Sequence, residues 1–383
     1  MNNFREVVER EYVDLSSIYL NAAYFGPSPK RCKILIEKSI KHELDPSYAA
    51  YEDWYYRPEK SREMYAKLIG TDSDNIFHAC SVSDINNLLI QSLSDSPQHV
   101  VVIEKDYPSN VLPFLLSSER KSNVKLTRLD LGNEILPSPD WLKNHLPKDT
   151  SIFCCSWVTF DTGKKVDILN IGKILKDRNI TFVVDVTQGF GGLSLSSEEL
   201  SVIDAISNAS YKWLLGPYGH AFGYISPELQ RRLKHPNANW LTSKNSKVVN
   251  SLLEYTTDTL PGARRFDRGQ TANLLTISCL EGALDFLSEV GLKNIQDHNK
   301  SLSKFFFNNY SKTKYDLITP ENQNANIVCL KGKSIDSHNL EKDLRDSNID
   351  VSIREGNIRV SFHVYNSLKH VEHILKILDA QNP

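Results

Sequence analysis

Short, fully apolar runs alternate along the chain with segments of helical periodicity. Such runs occupy Val100–Ile103, the start of Ser151–Gly163, and Thr181–Asp185. They lack the polar alternation of a half-exposed strand, and strands of this kind are typical of parallel sheets buried on both faces. Between the last two, apolar residues over Ile168–Arg178 recur at helical spacing. The order strand, helix, strand therefore predicts a parallel sheet covered by helices.

The pattern changes toward the C-terminus, where helices and strands are shorter. From about Asn294 the sequence predicts a helix, a strand at Asn326–Leu330, a helix at Ser337–Ser347, two strands, and a last helix at Ser367–Leu378. This arrangement predicts a compact second lobe. Nearer the N-terminus we expect a helix over roughly Pro58–Ile69, because proline suits a helix start and Gly70 a helix stop.

Composition narrows the function classes. The chain has 383 residues and a net charge of −2, which gives no indication of a nucleic-acid partner or an anionic membrane surface. Its six cysteines show neither metal-ligand nor disulfide spacing, and no apolar run could span a bilayer. We therefore expect a cytoplasmic protein without a metal site. The absence of a G-x-G-x-x-G motif after an early strand argues against a dinucleotide-binding protein.

The strongest candidate chemistry lies around Lys212. This lysine is flanked by Tyr211, Trp213 and Leu214, and desolvation lowers a lysine's pKa and frees the neutral amine as a nucleophile. Asp185 stands near the end of an apolar strand 27 residues earlier. A desolvated lysine and a strand-end carboxylate are what pyridoxal phosphate needs, as Schiff-base partner and as partner of the pyridinium nitrogen. Alone, each has an ordinary alternative, a surface lysine beside a turn and a helix-capping aspartate.

The two segments together resemble a known family. Val184-Asp-Val-Thr-Gln-Gly189 and Ser210-Tyr-Lys-Trp-Leu-Leu-Gly-Pro-Tyr-Gly219 are similar to the cofactor segments of class V aminotransferases. These fold-type-I pyridoxal-phosphate enzymes include cysteine desulfurases, selenocysteine lyase, kynureninase and isopenicillin-N epimerase, and the second segment looks nearest the epimerase-like branch. The resemblance runs from about Leu20 to Asn366.

The resemblance implies an α/β fold of two lobes. A large domain, residues 20–260, would carry a mixed, mostly parallel sheet and bind the cofactor. A small α+β domain would combine residues 261–383 with residues 1–19. The active site would lie between the lobes, at the interface of a homodimer.

The resemblance also implies which residues bind the cofactor's phosphate. Val82 and Ser83 match the family's phosphate-binding turn, and they lie at a predicted helix N-terminus, where free N–H groups and the helix dipole favour an anion. Val82 can offer only its backbone N–H, and Ser83 has the alternative role of a helix cap. Tyr211 stands where many relatives have a phosphate-binding histidine. Gln270 occupies the hydroxyl position of a loop that reaches the partner's phosphate.

Four further positions match residues around the pyridine ring. Tyr107 matches the residue that stacks on the ring, and Asp185 the partner of its nitrogen. Gln188 matches a neighbour of the cofactor's 3-oxygen. Thr159 stands near the position of the usual amide, which this chain lacks.

The substrate contacts implied by the resemblance come from both ends of the chain. Arg359 matches the arginine that binds the substrate α-carboxylate, a task that suits a planar guanidinium. Its ordinary alternative is an inter-strand salt bridge. Arg354 is a second cation nearby, and Asn21, Ala22 and Tyr24 match a stretch at the active-site mouth.

We therefore expect a pyridoxal-phosphate enzyme that acts on a small amino acid or amine through an aldimine and a carbanion, with Lys212 and Asp185 catalytic. Transamination is the main prediction, and a β-lyase or an epimerase is the alternative. A cofactor-binding protein without activity is the non-enzymatic alternative. Cysteine desulfurases carry a nucleophilic cysteine before the carboxylate-binding arginine, and the matching segment, Asn348–Asn357, has none.

Overall fold

The structure is a computed structural model that describes residues 4–13, 15–48, 53–93, 96–132, 134–234, 238–246, 253–271, 273–323 and 326–381. The α-helices found there are α1 (Phe4–Glu11), α2 (Lys30–Leu44), α3 (Asp53–Ile69), α4 (Val82–Ser92), α5 (Pro108–Arg120), α6 (Pro139–His145), α7 (Ile168–Asp177), α8 (Ser197–Ser201), α9 (Pro227–Arg232), α10 (Leu274–Val290), α11 (Leu292–Asn309), α12 (Ser337–Asp346) and α13 (Leu368–Ala380). The strands are β1 (Ile18–Tyr19), β2 (Ile76–Ala79), β3 (Gln98–Ile103), β4 (Val124–Leu129), β5 (Ile152–Ser156), β6 (Thr181–Asp185), β7 (Ala205–Ala209), β8 (Ala221–Ile225), β9 (Tyr315–Leu317), β10 (Ile327–Gly332), β11 (Ile349–Asp350), β12 (Ser352–Arg354) and β13 (Asn357–Ser361).

A seven-stranded sheet with the order β2-β8-β7-β6-β5-β3-β4 forms the centre of the molecule. Strand β8 runs antiparallel to both its neighbours, and the other pairings are parallel. The sheet is therefore mixed and mostly parallel, as the sequence predicted.

Both faces of this sheet are covered, which explains its continuous apolar runs. In β5, Phe153 and Cys155 pack into the hydrophobic cluster on one face. Ile152 and Cys154 pack into the cluster on the other face. Because successive side chains of a strand point to opposite faces, a strand buried on both sides needs apolar residues throughout.

A smaller four-stranded antiparallel sheet, in the order β12-β13-β10-β9, is built from the C-terminal part of the chain. The short strand β1 pairs in parallel with β11, so the N-terminal segment is joined to this part of the fold. Leu20, Phe306 and Val360 belong to the hydrophobic cluster around the smaller sheet. Helix α10 packs against α2 and α3. The domain limits at residues 20 and 260 stay a prediction.

One predicted helix boundary is wrong. Helix α3 begins at Asp53, so Pro58 lies inside the helix instead of at its start. Proline removes one backbone donor there, while the Pro58 carbonyl keeps two partners, the Ser61 hydroxyl and the His78 ring. The predicted stop is confirmed, since Gly70 follows the helix with a φ of 84°.

A buried ion pair joins α3 to the loop that precedes α10. The Arg62 guanidinium, 1% exposed, donates to the Asp267 carboxylate at 2.6 and 3.2 Å. It also donates to the Ile76 carbonyl at 2.6 Å, and Asp267 accepts the backbone N–H of His78 at 2.7 Å. The pair thus fixes the loop against the edge strand β2.

No helix in the described ranges is long and apolar enough to cross a membrane.

We predict that Arg62→Met destabilises the fold strongly, because it leaves the Asp267 carboxylate buried without its cation. Breaking such a pair costs about 3–5 kcal/mol. The matched control is Lys293→Met, which removes the exposed partner of Asp297 one helical turn away and is expected to cost less than about 0.5 kcal/mol. Urea unfolding of the two variants measures the loss in the free energy of unfolding. An equally small loss in both would contradict the prediction.

Candidate active site

Lys212 lies in the turn that connects β7 to β8, and it is 6% exposed. Trp213, Leu214 and Leu215 are fully buried around it. Leu215 has a φ of 57°, which is rare for a bulky residue and occurs here where its N–H bonds the Lys212 carbonyl at 3.1 Å. Burial lowers the pKa of Lys212 to about 8, and Asp185 opposes part of that shift. A neutral amine is therefore accessible near physiological pH.

Asp185 ends β6 and is 5% exposed. Its Oδ1 accepts the Thr187 N–H at 2.9 Å and its Oδ2 accepts the Asn110 side-chain amide at 3.2 Å. Burial raises the pKa of Asp185, while the Thr187 bonds and Lys212 lower it. The carboxylate is thus held by two donors and faces the same cavity as Lys212.

Asp185 is bonded to a polar network that the sequence pattern did not predict. The Asp106 carboxylate accepts the Ser156 N–H at 2.7 Å and the Ser156 hydroxyl at 2.5 Å. Asn110 donates to the Ser156 oxygen at 3.0 Å and to Asp185, which links the two carboxylates. The sequence feature that could have indicated this network is the pair Asp106 and Asn110. They lie four residues apart, where the buried strand β3 leads into α5. Their meeting with Ser156 depends on the strand order β3-β5-β6, which local sequence does not reveal.

Tyr107 precedes α5 and forms one wall of the cavity. The Lys212 Nζ lies 5.2 Å from the centre of its ring. Phe160 meets the same ring edge-to-face, with centroids 5.2 Å apart. Tyr211 presents a second ring, 5.5 Å from Nζ, and burial raises the pKa of its hydroxyl.

The predicted phosphate turn lies at the N-terminus of α4. Ser81 is the cap, since its oxygen accepts the Asp84 N–H at 3.1 Å, so the alternative role of Ser83 as the cap is wrong. Ser83 instead donates its hydroxyl to Ser109 at 2.8 Å. Val82 follows the cap with its side chain buried.

One cavity of about 290 Å³ brings most of these residues together. Its lining includes Val82, Ser83, Tyr107, Asp185, Gln188, Tyr211 and Lys212. A second cavity of about 520 Å³ shares Tyr107, Gln188, Tyr211 and Lys212 with it and adds Tyr24, Arg354 and Arg359. Lys212 therefore stands between a compartment with a helix N-terminus and one with two guanidinium groups.

Gln188 has both ends of its side-chain amide engaged. Its Nε2 donates to the Ala23 carbonyl at 3.0 Å, and its Oε1 accepts from the Trp213 indole at 3.0 Å. It therefore ties the N-terminal segment to the Lys212 turn.

Four predicted site residues are not brought into these cavities. Thr159 lines a separate cavity of about 200 Å³ and bonds Thr162 and Lys164. The Asn21 side chain accepts the Ser352 hydroxyl at 2.8 Å, and Ala22 is fully buried. Gln270 is exposed, with a φ of 64°, in the loop before α10.

Arg359 lies on β13, opposite Ser352 of β12, and is 1% exposed. Its Nη1 donates to the Phe160 carbonyl at 2.5 Å, whereas Nε and Nη2 are buried without a hydrogen-bond partner among the described residues. Burial, and secondly Arg354, lower the pKa of Arg359 to about 10. The ordinary alternative, an inter-strand salt bridge, is not found in the described ranges, and two donors are left for a ligand.

A buried histidine pair borders the first cavity. His220 lines it and bonds His78 at 2.9 Å between ring nitrogens, while the other nitrogen of His78 donates to the Pro58 carbonyl at 3.0 Å. Burial lowers the pKa of both, to about 3 for His78. Both rings are therefore neutral at physiological pH.

These residues fit pyridoxal phosphate. A buried amine with a pKa of about 8 suits an aldehyde. A carboxylate held by two donors in the same cavity suits a pyridinium nitrogen, and the α4 N-terminus suits a phosphate. No cluster of metal ligands is found in the described parts of the chain.

Two curated proteins with significant similarity carry different names. An uncharacterized aminotransferase of Bacillus subtilis is 26% identical over 271 residues, 70% of this chain and 69% of that protein. A probable cysteine desulfurase of Methanothermobacter thermautotrophicus is 24% identical over 293 residues, 75% of this chain and 70% of that protein.

Solved structures share the fold over nearly their whole length. An apo cysteine desulfurase from Thermococcus onnurineus has a TM-score of 0.83 at 21% identity and covers 98% of this chain and 97% of its own. The cystine C-S lyase C-DES, in complex with cysteine persulfide, has a TM-score of 0.86 at 17% identity, with 96% and 98% covered. The predicted fold type I is thereby confirmed.

The family model described as Aminotransferase class-V matches residues 48–374. Because this match spans most of the sequence, the chain belongs to the class V aminotransferase family, and its predicted character as a pyridoxal-phosphate enzyme is confirmed.

Proposed function

We propose that this protein is an aminotransferase for a small amino acid, with Lys212 as its acid–base group. The observation that carries the proposal is the Lys212 amine, buried in an apolar turn beside Asp185 with a pKa of about 8. An acid–base group works best when its pKa lies near the working pH, because it then both accepts and returns a proton.

In this proposal the Lys212 amine would hold the cofactor through its aldehyde and would serve as the acid–base group at the substrate Cα. Asp185 keeps the ring nitrogen protonated, and the Asn110 amide and the Thr187 N–H keep the carboxylate in position. Bound pyridoxal phosphate supplies an electron sink for negative charge at the substrate Cα. Lys212 takes the Cα proton and returns it, while the walls formed by Tyr107 and Tyr211 exclude water.

The remaining contacts divide between the two cavities. We assign the phosphate to the backbone N–H groups of Val82 and Ser83, the Tyr211 hydroxyl and Gln270 of a partner subunit. Gln188 is the better candidate than Thr159 for the cofactor's 3-oxygen, because it lines the Lys212 cavity and Thr159 does not.

We assign the substrate carboxylate to Arg359, whose two buried donors have no partner among the described residues. A guanidinium presents such donors as a planar fork that matches a carboxylate. Tyr24 stands at the exposed mouth of the same cavity, with Arg354 over its ring. Asn21 contributes indirectly, because it accepts a hydrogen bond from Ser352, the residue opposite Arg359 in the strand register, and Ala22 is the buried residue beside it.

Lys212, with a pKa of about 8, can serve by itself as the acid–base group of transamination, which favours that reaction over the alternatives. Epimerisation uses a second proton donor on the opposite face of the substrate, and elimination uses one at the leaving group. His220, the histidine that lines the cavity within the described ranges, has its pKa well below neutrality and is a poor donor. A β-lyase remains the second candidate, because a relative carries the name probable cysteine desulfurase.

We also propose a cytoplasmic homodimer. Large apolar side chains are exposed on one chain, including Leu44, Tyr48, Trp54, Tyr56, Tyr218 and Tyr255. Large aromatic side chains are enriched at subunit interfaces. The six free cysteines are compatible with a reducing compartment.

We predict that borohydride reduction of the holoenzyme places a pyridoxyl label on Lys212. Labelling of the apoenzyme by pyridoxal phosphate should rise with pH around a midpoint of about 8, because only the neutral amine attacks the aldehyde and burial holds this pKa below 10.5. Peptide mapping checks the position, and Lys212→Ala should fold without turnover. A label on another lysine would refute the assignment.

We predict that sedimentation gives a species of twice the 43.5 kDa chain mass. Gln270→Ala should weaken binding of pyridoxal phosphate by about 10- to 150-fold, the value of one hydrogen bond to a charged group. Binding of pyridoxal, which has no phosphate, should not change. Gln91→Ala, at an exposed position on α4, is the control. A fully active monomer would contradict the role of Gln270.

We predict no turnover-competent persulfide when the holoenzyme is incubated with cysteine. Five of the six cysteines are buried, and burial raises the pKa of Cys329 to about 12. Cys80 is exposed at the cavity, but burial and Asp84 raise its pKa as well, and Cys80→Ser should keep activity. Mass spectrometry for protein-bound sulfur checks the prediction, which fails if a persulfide forms and mutation of that cysteine abolishes sulfide release.

A further inference from the structure

Two arginines share one face of the β12–β13 hairpin. In the strand register Ser352 pairs with Arg359, and Arg354 pairs with Asn357. Arg354 lies two residues from Ser352 on the same strand, so its side chain projects on the same face as Arg359. Both guanidinium groups line the cavity of about 520 Å³ that contains Lys212.

Neither arginine is neutralised by an ion pair. Arg359 donates to one backbone carbonyl, that of Phe160, and two of its nitrogens have no partner among the described residues. Arg354 donates to the Ile353 carbonyl at 2.7 Å, and no carboxylate of the described residues lies within 4.0 Å of its guanidinium. Asp161 acts on Arg359 from a distance without lining the cavity.

Arg354 also acts on the other cations of this cavity. Arg354 lowers the pKa of both Arg359 and Lys212, after the larger effect of burial. Asp185 offsets the charge of Lys212, but none of the described residues that line this cavity is a carboxylate. Like charges that face one cavity repel each other when the cavity holds no ligand. They therefore favour the binding of an anionic ligand.

The α-carboxylate of an amino acid can pair with only one of the two guanidinium groups. With a neutral or aromatic substrate side chain, the Arg354 guanidinium would keep only the Tyr24 ring and the Ile353 carbonyl as partners, whereas a second acidic group would form an ion pair with it. We propose that the substrate is an amino acid with a second acidic group, whose α-carboxylate binds Arg359 and whose side-chain acid binds Arg354. This inference rests on the proposed function for its amino-acid chemistry, but the acidic ligand site can be tested separately.

The first experiment measures binding without chemistry. Succinate and butyrate have the same number of carbon atoms and differ by one carboxylate, and neither carries an amino group. Calorimetry on the holoenzyme should give at least tenfold tighter binding of succinate, since a charge-assisted hydrogen bond changes affinity by about tenfold or more. Arg354→Gln should remove most of that difference and Arg354→Lys should keep part of it. Arg345→Gln, at an exposed arginine of α12 paired with Glu341, should change nothing.

The second experiment measures turnover with aspartate against asparagine and glutamate against glutamine, which differ little in shape. Wild type should prefer the acidic member at least tenfold in kcat/KM. Arg354→Gln should lower kcat/KM for the acidic substrates about 10- to 100-fold more than for the neutral ones, with each enzyme assayed at its own pH optimum because Arg354 also lowers the pKa of Lys212. A uniform loss for all substrates would indicate a merely structural role and overturn the proposal.

Equal binding of succinate and butyrate would overturn the acidic specificity. A preference for phenylalanine or alanine in turnover would do the same, although the proposed aminotransferase function would still hold. Succinate binding that depends on Arg354, without conversion of any amino acid to its keto acid, would refute the aminotransferase and leave the acidic site supported.

Discussion

The site depends on one constraint, the exclusion of water from the turn that carries Lys212. A Cβ on Gly26 would lie 1.9 Å from the Lys212 carbonyl oxygen, and one on Gly191 would lie 2.2 Å from the Trp213 carbonyl oxygen. From the C-terminal part of the chain, the His363 ring stacks on Trp213 at 5.6 Å and donates to its carbonyl at 3.2 Å. Three distant segments thus enclose one turn. Their packing holds the lysine's pKa near 8 instead of 10.5, a penalty of about 3 kcal/mol on its charged form.

The loop after β5 connects the two sheets, and it does so through backbone atoms. Three C-terminal side chains bond successive carbonyls of this loop: Arg359 bonds Phe160, Cys329 bonds Asp161, and Thr319 bonds Thr162. A Cβ on Gly163 would meet Ile327 at 2.5 Å, so the next residue is also in close contact. Because carbonyls are the acceptors, the side chains of this loop carry little of the docking. The arginine that lines the substrate cavity is therefore oriented by the same contact that fixes the two parts of the fold.

The sequence predicted those features that depend on local pattern. The apolar runs fix the strands of the large sheet, and the neighbours of Lys212 fix its burial. The link from Asp106 through Ser156 to Asp185 was missed, because it requires β5 to lie between β3 and β6. Thr159 was placed by its position in the chain, yet its hydroxyl turns to Thr162 within its own loop. The proposed role of Gln270 depends on a second subunit, which one sequence does not position.

The charge arrangement in the substrate cavity depends on a two-residue turn. Glu355 and Gly356 have φ values of 49° and 73°, the left-handed pair that closes a tight hairpin in register with the strand twist. A slip of one residue would turn Arg354 to the opposite face, away from Lys212. Glycine accepts this conformation without strain, whereas glutamate does so at some cost. The backbone of an exposed turn thus determines whether the cavity presents one guanidinium group or two, and the proposed acidic specificity depends on it.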